Sequence, residues 1–255
     1  METFIKHGSE RAVAWEAAGL TWLAEAAADG GARVAQVVSA QGDTLEIERI
    51  QEATPSKRVA GAFGAQLART HASGADAFGV GPTGWAGAGL QGPAGNQLKL
   101  PLGTYENWGS MWADARIAPL VQKVKDFGKT EQAAFDRLSQ RLRDGDFDGS
   151  YGSNSPPPRI HGDLWAGNLL WTSSDAVLID PTPYGGHPED DLAALALFGT
   201  PYLREIIAGY EQVTPLDAGW QERVELHQLH LLLLHAVLFG GGYTAQALSA
   251  VKKYS

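Results

Sequence analysis

The chain has 255 residues, 44% of them hydrophobic and 19% charged, the balance of an ordinary globular protein with enough length to bury a core. Its formal net charge of -9 argues against a nucleic-acid partner, because gripping a phosphate backbone needs clustered Lys and Arg. There is no cysteine, which removes disulfide frameworks and thiolate metal sites.

In chain order, "TFIKH" (Thr3 to His7) reads as a short strand. "SERAVAWEAAGLTWLAEAAADGG" follows as a helix, with Ser9 as its cap and Gly30-Gly31 as its stop. "ARVAQVVSA" and "TLEIERI" read as two strands around the turn Gln41-Gly42-Asp43. From Val59 the chain turns helical, with Phe63, Leu67 and His71 one turn apart. A glycine-rich, irregular segment covers residues 75–103. Amphipathic helices in "NWGSMWADARIAPLVQKVKDFG" and "TEQAAFDRLSQRLRDG" come next, then the loop "DFDGSYGSNSPPP". "NLLW", the turn "TSSD" and "AVLID" predict a hairpin, and helices are expected from about Asp191 onward. The fold class is α+β in two unequal parts. A small strand-containing front covers residues 1–50, and a mostly helical body covers 51–255. The first residues lack the apolar run of a secretion signal, and "LHLLLLHAVLF" is too short to span a bilayer. A cytoplasmic protein without a membrane partner is the expectation.

Chemistry concentrates in "RIHGDLWAGNLLW", Arg159 to Trp171. Asp163 and Asn168 lie five positions apart, and Asp180 ends the second strand of the hairpin, which folds it back towards Asn168. An amide oxygen and a carboxylate that converge are hard ligands of the kind that hold Mg²⁺. Asp163, beside them, can take a proton from a hydroxyl nucleophile. A base Asp, an Asn five residues later and a metal Asp after a hairpin is the arrangement of kinases. That reading demands a strand Lys paired with a helix Glu. Lys6 lies on the first strand. On the next helix Glu16 falls within the apolar arc of Val13, Ala17, Leu20 and Ala24, where a carboxylate needs a cation.

With those residues in hand, the chain resembles the fructosamine-3-kinase (ketosamine kinase) family, within the aminoglycoside-phosphotransferase branch of the protein-kinase-like fold. "HGDLWAGN", "LIDPTPYGGHPEDDLAALALFG", "PLDAGWQER" and "HQLHLLLLHAVLFGGGY" carry the resemblance, which runs from Thr3 to Lys252. It implies a two-lobe fold and ATP-dependent phosphorylation of a sugar hydroxyl on a ketosamine, a small sugar-amine adduct, with Mg²⁺. Position by position, it implies Asp163 as catalytic base and Asn168 and Asp180 as Mg²⁺ ligands. Lys6 would touch the nucleotide phosphates, Glu16 would hold Lys6, and Glu48 would mark the hinge whose backbone takes the adenine. Asp191 would brace the catalytic loop, and Trp165 and His235 would lie against the sugar. His161 is expected to orient the loop by hydrogen bonding.

Two features depart from the family. Pro188 stands where the family has Arg after Gly-His. Only five residues precede Lys6, so the expected N-terminal lobe is truncated, without the strands and loop that cover the phosphates. The glycine-rich "GAGLQGPAG" comes too late in the chain to replace that cover. A non-catalytic nucleotide- or sugar-binding relative is the alternative this gap favours, and the intact Lys6, Glu16, Asp163, Asn168 and Asp180 oppose it. A kinase of another amino-sugar or amino-alcohol acceptor is the other alternative; Trp165 and "LFGGGY" count against it.

Other polar residues carry blander readings. His227, His230 and His235, set among leucines and without cysteine, are core or pocket histidines before they are zinc ligands. No Gly-x-Ser-x-Gly elbow supports a hydrolase. Trp15 and Trp22 lie on the side of the first helix opposite the Val13 stripe. A partner, a second copy in a homodimer and the rest of the small lobe are the three surfaces open to them.

Overall fold

The computed structural model describes residues 2–255. Strand β1 (Thr3–His7) leads into helix α1 (Glu10–Ala24), whose first turn is capped by Ser9 Oγ accepting from the Ala12 N–H at 3.2 Å. A 3-10 turn, Glu25–Asp29, then ends at left-handed Gly30. The stretch read as one strand divides at Ala35-Gln36 into β2 (Arg33–Val34) and β3 (Val37–Gln41). With β4 (Thr44–Glu48), β1 and β3 form an antiparallel sheet ordered β1-β4-β3. Helix α2 (Lys57–Ala72) starts at its cap Ser56 and buries Phe63, Leu67 and His71 along one face.

The glycine-rich segment contains a hairpin that its composition concealed, β5 (Gly89–Gln91) paired with β6 (Leu98–Leu100). A continuous helical run follows, in which α3 (Trp108–Met111) and α4 (Ala118–Val121) are joined by a π-helical stretch, Trp112–Ile117. Next are α5 (Lys129–Arg143) and the two-residue β7 (Arg159–Ile160). The expected hairpin is β8 (Leu169–Trp171) with β9 (Ala176–Leu178). β10 (Tyr184–Gly185) returns to pair with β7. Helix α6 (Pro188–Leu197) begins three residues earlier than expected, because His187 caps it and Pro188 is preorganised for its first turn. Helices α7 (Leu203–Glu211), α8 (Trp220–Phe239) and α9 (Gly242–Tyr254) complete the chain. No helix among the described residues is long and apolar enough to cross a membrane.

Two hydrophobic clusters divide the interior, and neither respects the expected boundary at residue 50. One joins Leu20, Leu45 and Ile47 from the front to Phe63 and Leu67 of α2, Leu169 and Val177 of the hairpin, and Tyr210 of α7. The other is the helical body, with Trp108, Phe135, Leu229 and Leu233, and it takes in Trp15 from α1. β2 crosses the same boundary by pairing parallel to β9. Both tryptophans of α1 are spent inside the chain, on the body and not on a second molecule. Trp15 packs on Trp85 with ring centroids 5.0 Å apart, and Trp22 lies under the Arg159 guanidinium at 4.3 Å. Helix α1 is thereby fastened to the strand that opens the His161 loop.

Candidate active site

The first polar unit is built by β1 and α1. Lys6 projects from the strand and its Nζ donates to Glu16 Oε1 at 2.7 Å. The same ammonium contacts Asp180 Oδ1. Asp180 itself has a positive φ of 53°, a conformation that costs a residue with a Cβ free energy and tends to persist where function requires it.

The second unit is the loop after β7. The His161 and Gly162 N–H groups donate to the two Asp191 carboxylate oxygens at 2.7 and 2.9 Å, and His71 Nε2 donates to Oδ2 at 3.1 Å. Burial alone would raise the Asp191 pKa; the His71 hydrogen bond, the histidine charges and the backbone donor reverse this and hold it below the ordinary value. His161 Nε2 donates to the Ile179 carbonyl at 2.8 Å, leaving Nδ1 to accept the Asp163 N–H at 3.3 Å. Burial keeps the His161 pKa low, so this neutral tautomer is the one present. The loop is thus braced from below at three successive residues.

Asp163 and Asn168 meet as their spacing suggests. Asn168 Nδ2 donates to the Asp163 carbonyl at 2.8 Å and to its Oδ2 at 3.1 Å. The Asn168 Oδ1 accepts from no donor among the described residues, although Asn168 is 5% exposed. Burial pushes the Asp163 pKa up to about 7; the Asn168 hydrogen bond pulls against this, and the nearby Asp191 charge adds to it. A carboxyl poised near neutrality is suited to accept a proton.

Lys6, Glu16, Asp163, Asn168 and Asp180 all line one cleft of about 620 Å³, together with Trp165 and His235. The Gly92–Gln97 turn of the β5–β6 hairpin forms another part of its wall. The glycine-rich run therefore reaches the site. Glu48 is not among the lining residues. Its carboxylate is engaged by Arg33, and its N–H donates to the Gln36 carbonyl at 2.8 Å. The sequence marks His71 only as the last member of an apolar stripe; a histidine closing such a stripe is the signal that a buried acid needs a donor.

The histidines of α8 divide between structure and cleft. His227 Nδ1 meets Asp190 Oδ1 at 2.6 Å, and its Nε2 lies 3.1 Å from Glu189 Oε2. His187, Glu189 and His227 offer ligand atoms within 4.8 Å of one another. Arg223 already holds both Glu189 oxygens, at 2.5 and 3.0 Å. His187 Nδ1 accepts the Glu189 N–H at 3.0 Å, so in the neutral ring Nε2 carries the proton. Lone pairs are consumed and the group is an ion-pair cluster, not a metal centre. His230 stays neutral, its pKa lowered to about 3 by burial and the Arg116 charge.

A family model described as fructosamine kinase matches residues 2–255. A probable ketoamine kinase of Vibrio parahaemolyticus is 33% identical over 196 residues. That match covers 75% of this chain and 62% of the relative, so the chain matches less than two thirds of that protein's length. The crystal structure of a putative fructosamine-3-kinase from Thermobifida fusca superposes with a TM-score of 0.86 at 34% identity, covering 99% of this chain and 85% of the other. A choline/ethanolamine kinase family protein from Mesorhizobium loti shares the fold, with a TM-score of 0.55 at 16% identity over 99% of this chain and 80% of its own.

Proposed function

The chain belongs to the fructosamine kinase family, and on that premise we propose that it transfers the γ-phosphoryl group of ATP to a sugar hydroxyl of a ketosamine. The observation that carries this reading is the convergence of Lys6, Glu16, Asp163, Asn168 and Asp180 on one cleft. Phosphoryl transfer asks a protein for alignment and charge neutralisation more than for covalent chemistry, and these five side chains can supply both.

Asp163 accepts the proton of the acceptor hydroxyl as its oxygen attacks the γ-phosphorus and ADP departs. Burial, by raising its pKa to about 7, makes it a better proton acceptor than an exposed carboxylate. Asn168 restrains Asp163 through its two N–H bonds. Lys6 offers its ammonium to the nucleotide phosphates while Glu16 holds it by a 2.7 Å hydrogen bond.

The donor set fits Mg²⁺. Asn168 has an amide oxygen without a donor among the described residues, and the Asp180 carboxylate is paired with Lys6. Asn168 and Asp180 would hold the ion, which when bound neutralises charge on the phosphates. Asp191, His161 and His71 touch none of the reactants; they keep Asp163 in place.

The test is ATP turnover with Mg²⁺ and a fructose adduct of lysine, in wild type and Asp163→Asn side by side. Ketosamine-dependent turnover that falls about 10²- to 10⁴-fold in the variant is expected from loss of a general base. Asp163→Asn turning over at the wild-type rate would sink the assignment.

A further inference from the structure

The motif "LFGGGY" has no part in the chemistry above. Gly240 and Gly241 take φ of 66° and 63° with ψ of -147° and -131°, a region open essentially to glycine alone. A Cβ at either position would meet nothing within 4 Å. Backbone conformation, not crowding, requires these glycines. The reversal they make brings Tyr243, at the start of α9, back over the end of α8. Its ring lies 4.9 Å from His235 and 6.5 Å from Phe239. His235 in turn packs on Phe198 at 5.3 Å, and Phe198 meets Trp165 edge-on at 5.8 Å.

The product is an aromatic wall beside the catalytic loop. Trp165, His235 and Phe239 line the cleft, while Phe198 and Tyr243 stand behind them. Phe239 is 61% exposed and Trp165 38%. Aromatic surface left open inside a cleft marks a place for a ligand.

Charge is distributed unevenly around that cleft. Its charged lining residues are Lys6, Glu16, Asp163 and Asp180, all part of the catalytic machinery, and its titratable imidazoles are His7 at the end of β1 and His235. The aromatic wall has no charged residue, and neither has the Gly92–Gln97 turn, whose Gly92 lies close to Leu238 of the wall. Burial holds the His235 pKa below its ordinary value, so the ring is neutral. A carboxylate entering here would find no cation, and an unpaired charge against apolar rings is costly.

We propose that this aromatic wall is the subsite for the amine side of the acceptor, which replaces the sugar contact that the family resemblance implies for Trp165 and His235. It favours ketosamines whose nitrogen carries an uncharged aromatic or aliphatic group over those whose substituent ends in a carboxylate. The inference rests on the ketosamine reading and adds to it which adducts are preferred.

The experiment compares the fructose adducts of benzylamine and of glycine, by kcat/KM and by calorimetric binding, in wild type and Phe239→Ala. Phe239 is exposed enough for its truncation to leave the fold intact. The wild-type enzyme should prefer the benzylamine adduct about tenfold, and Phe239→Ala should remove most of that preference through KM, as loss of a contact made equally in ground and transition states. Equal use of the two adducts, preference for the glycine adduct, or a preference unchanged in Phe239→Ala overturns the inference and leaves the kinase reading standing. Turnover of neither adduct counts against the kinase reading, and binding then decides the subsite alone. Tighter binding of the benzylamine adduct that weakens in Phe239→Ala supports the subsite, and any other pattern overturns it.

Discussion

Two groups of opposed charges lie in this molecule, and they are built differently. In the interior, Glu189 takes two bonds from Arg223, and Asp190 accepts from the His187 N–H at 3.1 Å and Trp108 Nε1 at 3.2 Å, with His227 set against both acids. Each carboxylate oxygen there has a partner within the chain. At the cleft, Lys6 is shared between Glu16 and Asp180, the Asp180 side chain is 43% exposed, and Asn168 Oδ1 has no donor. A group whose task is to hold the fold pairs every carboxylate oxygen, although His187 Nε2 is buried there without a partner. A group whose task is to receive something keeps hydrogen-bonding capacity in reserve.

The sharpest way to break this comparison is to remove one cation from each group. His227→Ala leaves Asp190 buried without its partner, and losing one member of a buried ion pair costs about 3–5 kcal/mol. Lys6→Ala, at a partly open site, should cost under about 1 kcal/mol. Denaturant unfolding of the two variants checks this, and equal losses would mean that the cleft charges also hold the fold together.

A smaller effect separates positioning from folding. Gly19, one turn after Glu16 on α1, sits against the prolines that follow Asp180. A Cβ there would lie 3.0 Å from Pro183 Cδ and 3.1 Å from Pro181 Cγ. Gly19→Ala should lift α1 and carry Glu16 and Lys6 away from Asp180, raising the KM for ATP about tenfold, since small misplacements at reacting groups are expensive. Adding Pro183→Ala makes room for the new methyl group and should restore most of the loss. Gly19→Ala with an unaltered KM would show that this contact does not set the cleft geometry.

Much of the site was legible because its spacing is local. Asp163, Asn168 and Asp180 are linked by one loop and one hairpin, so pairing rules alone bring them together. Lys6 and Glu16 were legible because a carboxylate on an apolar stripe asks for a cation. Glu48 was less legible: its backbone role comes from resemblance alone, and nothing in "LEIE" signals that Arg33 takes its side chain. The β5–β6 hairpin was hidden because glycine and proline suppress the alternation that reveals strands. The division at residue 50 obscured how β2 crosses to β9, since a two-residue parallel pairing leaves no pattern in the sequence. The acidic run Glu189-Asp190-Asp191 is only half legible: Asp191 lies under the loop, but its two neighbours serve the buried cluster on the other side of the helix start.

The pH dependence of stability distinguishes the two groups most finely, because their contributions change over different pH ranges. Burial would raise the Glu189 pKa, but His227 and Arg223 hold it at about 2, below the ordinary 4.5. Its stabilising contribution is therefore present above pH 4.5 and lost as the pH falls through 2. Burial would lower the His227 pKa, but Asp190 and Glu189 raise it to about 9 from 6.5. That contribution is complete below pH 6.5 and disappears as the pH rises through 9. Asp163 behaves oppositely to Glu189: its pKa goes up from 3.8 to about 7, so the cost of its buried charge sets in above pH 3.8 and is complete above 7. The metal-free protein should thus lose stability in two steps, followed as denaturant midpoints at about pH 5, 7 and 9. Asp163→Asn should flatten the lower step and His227→Gln the upper. If one variant removed both steps, the two groups would be a single coupled network, and the contrast between interior acids whose oxygens are all paired and a cleft with capacity in reserve would fail.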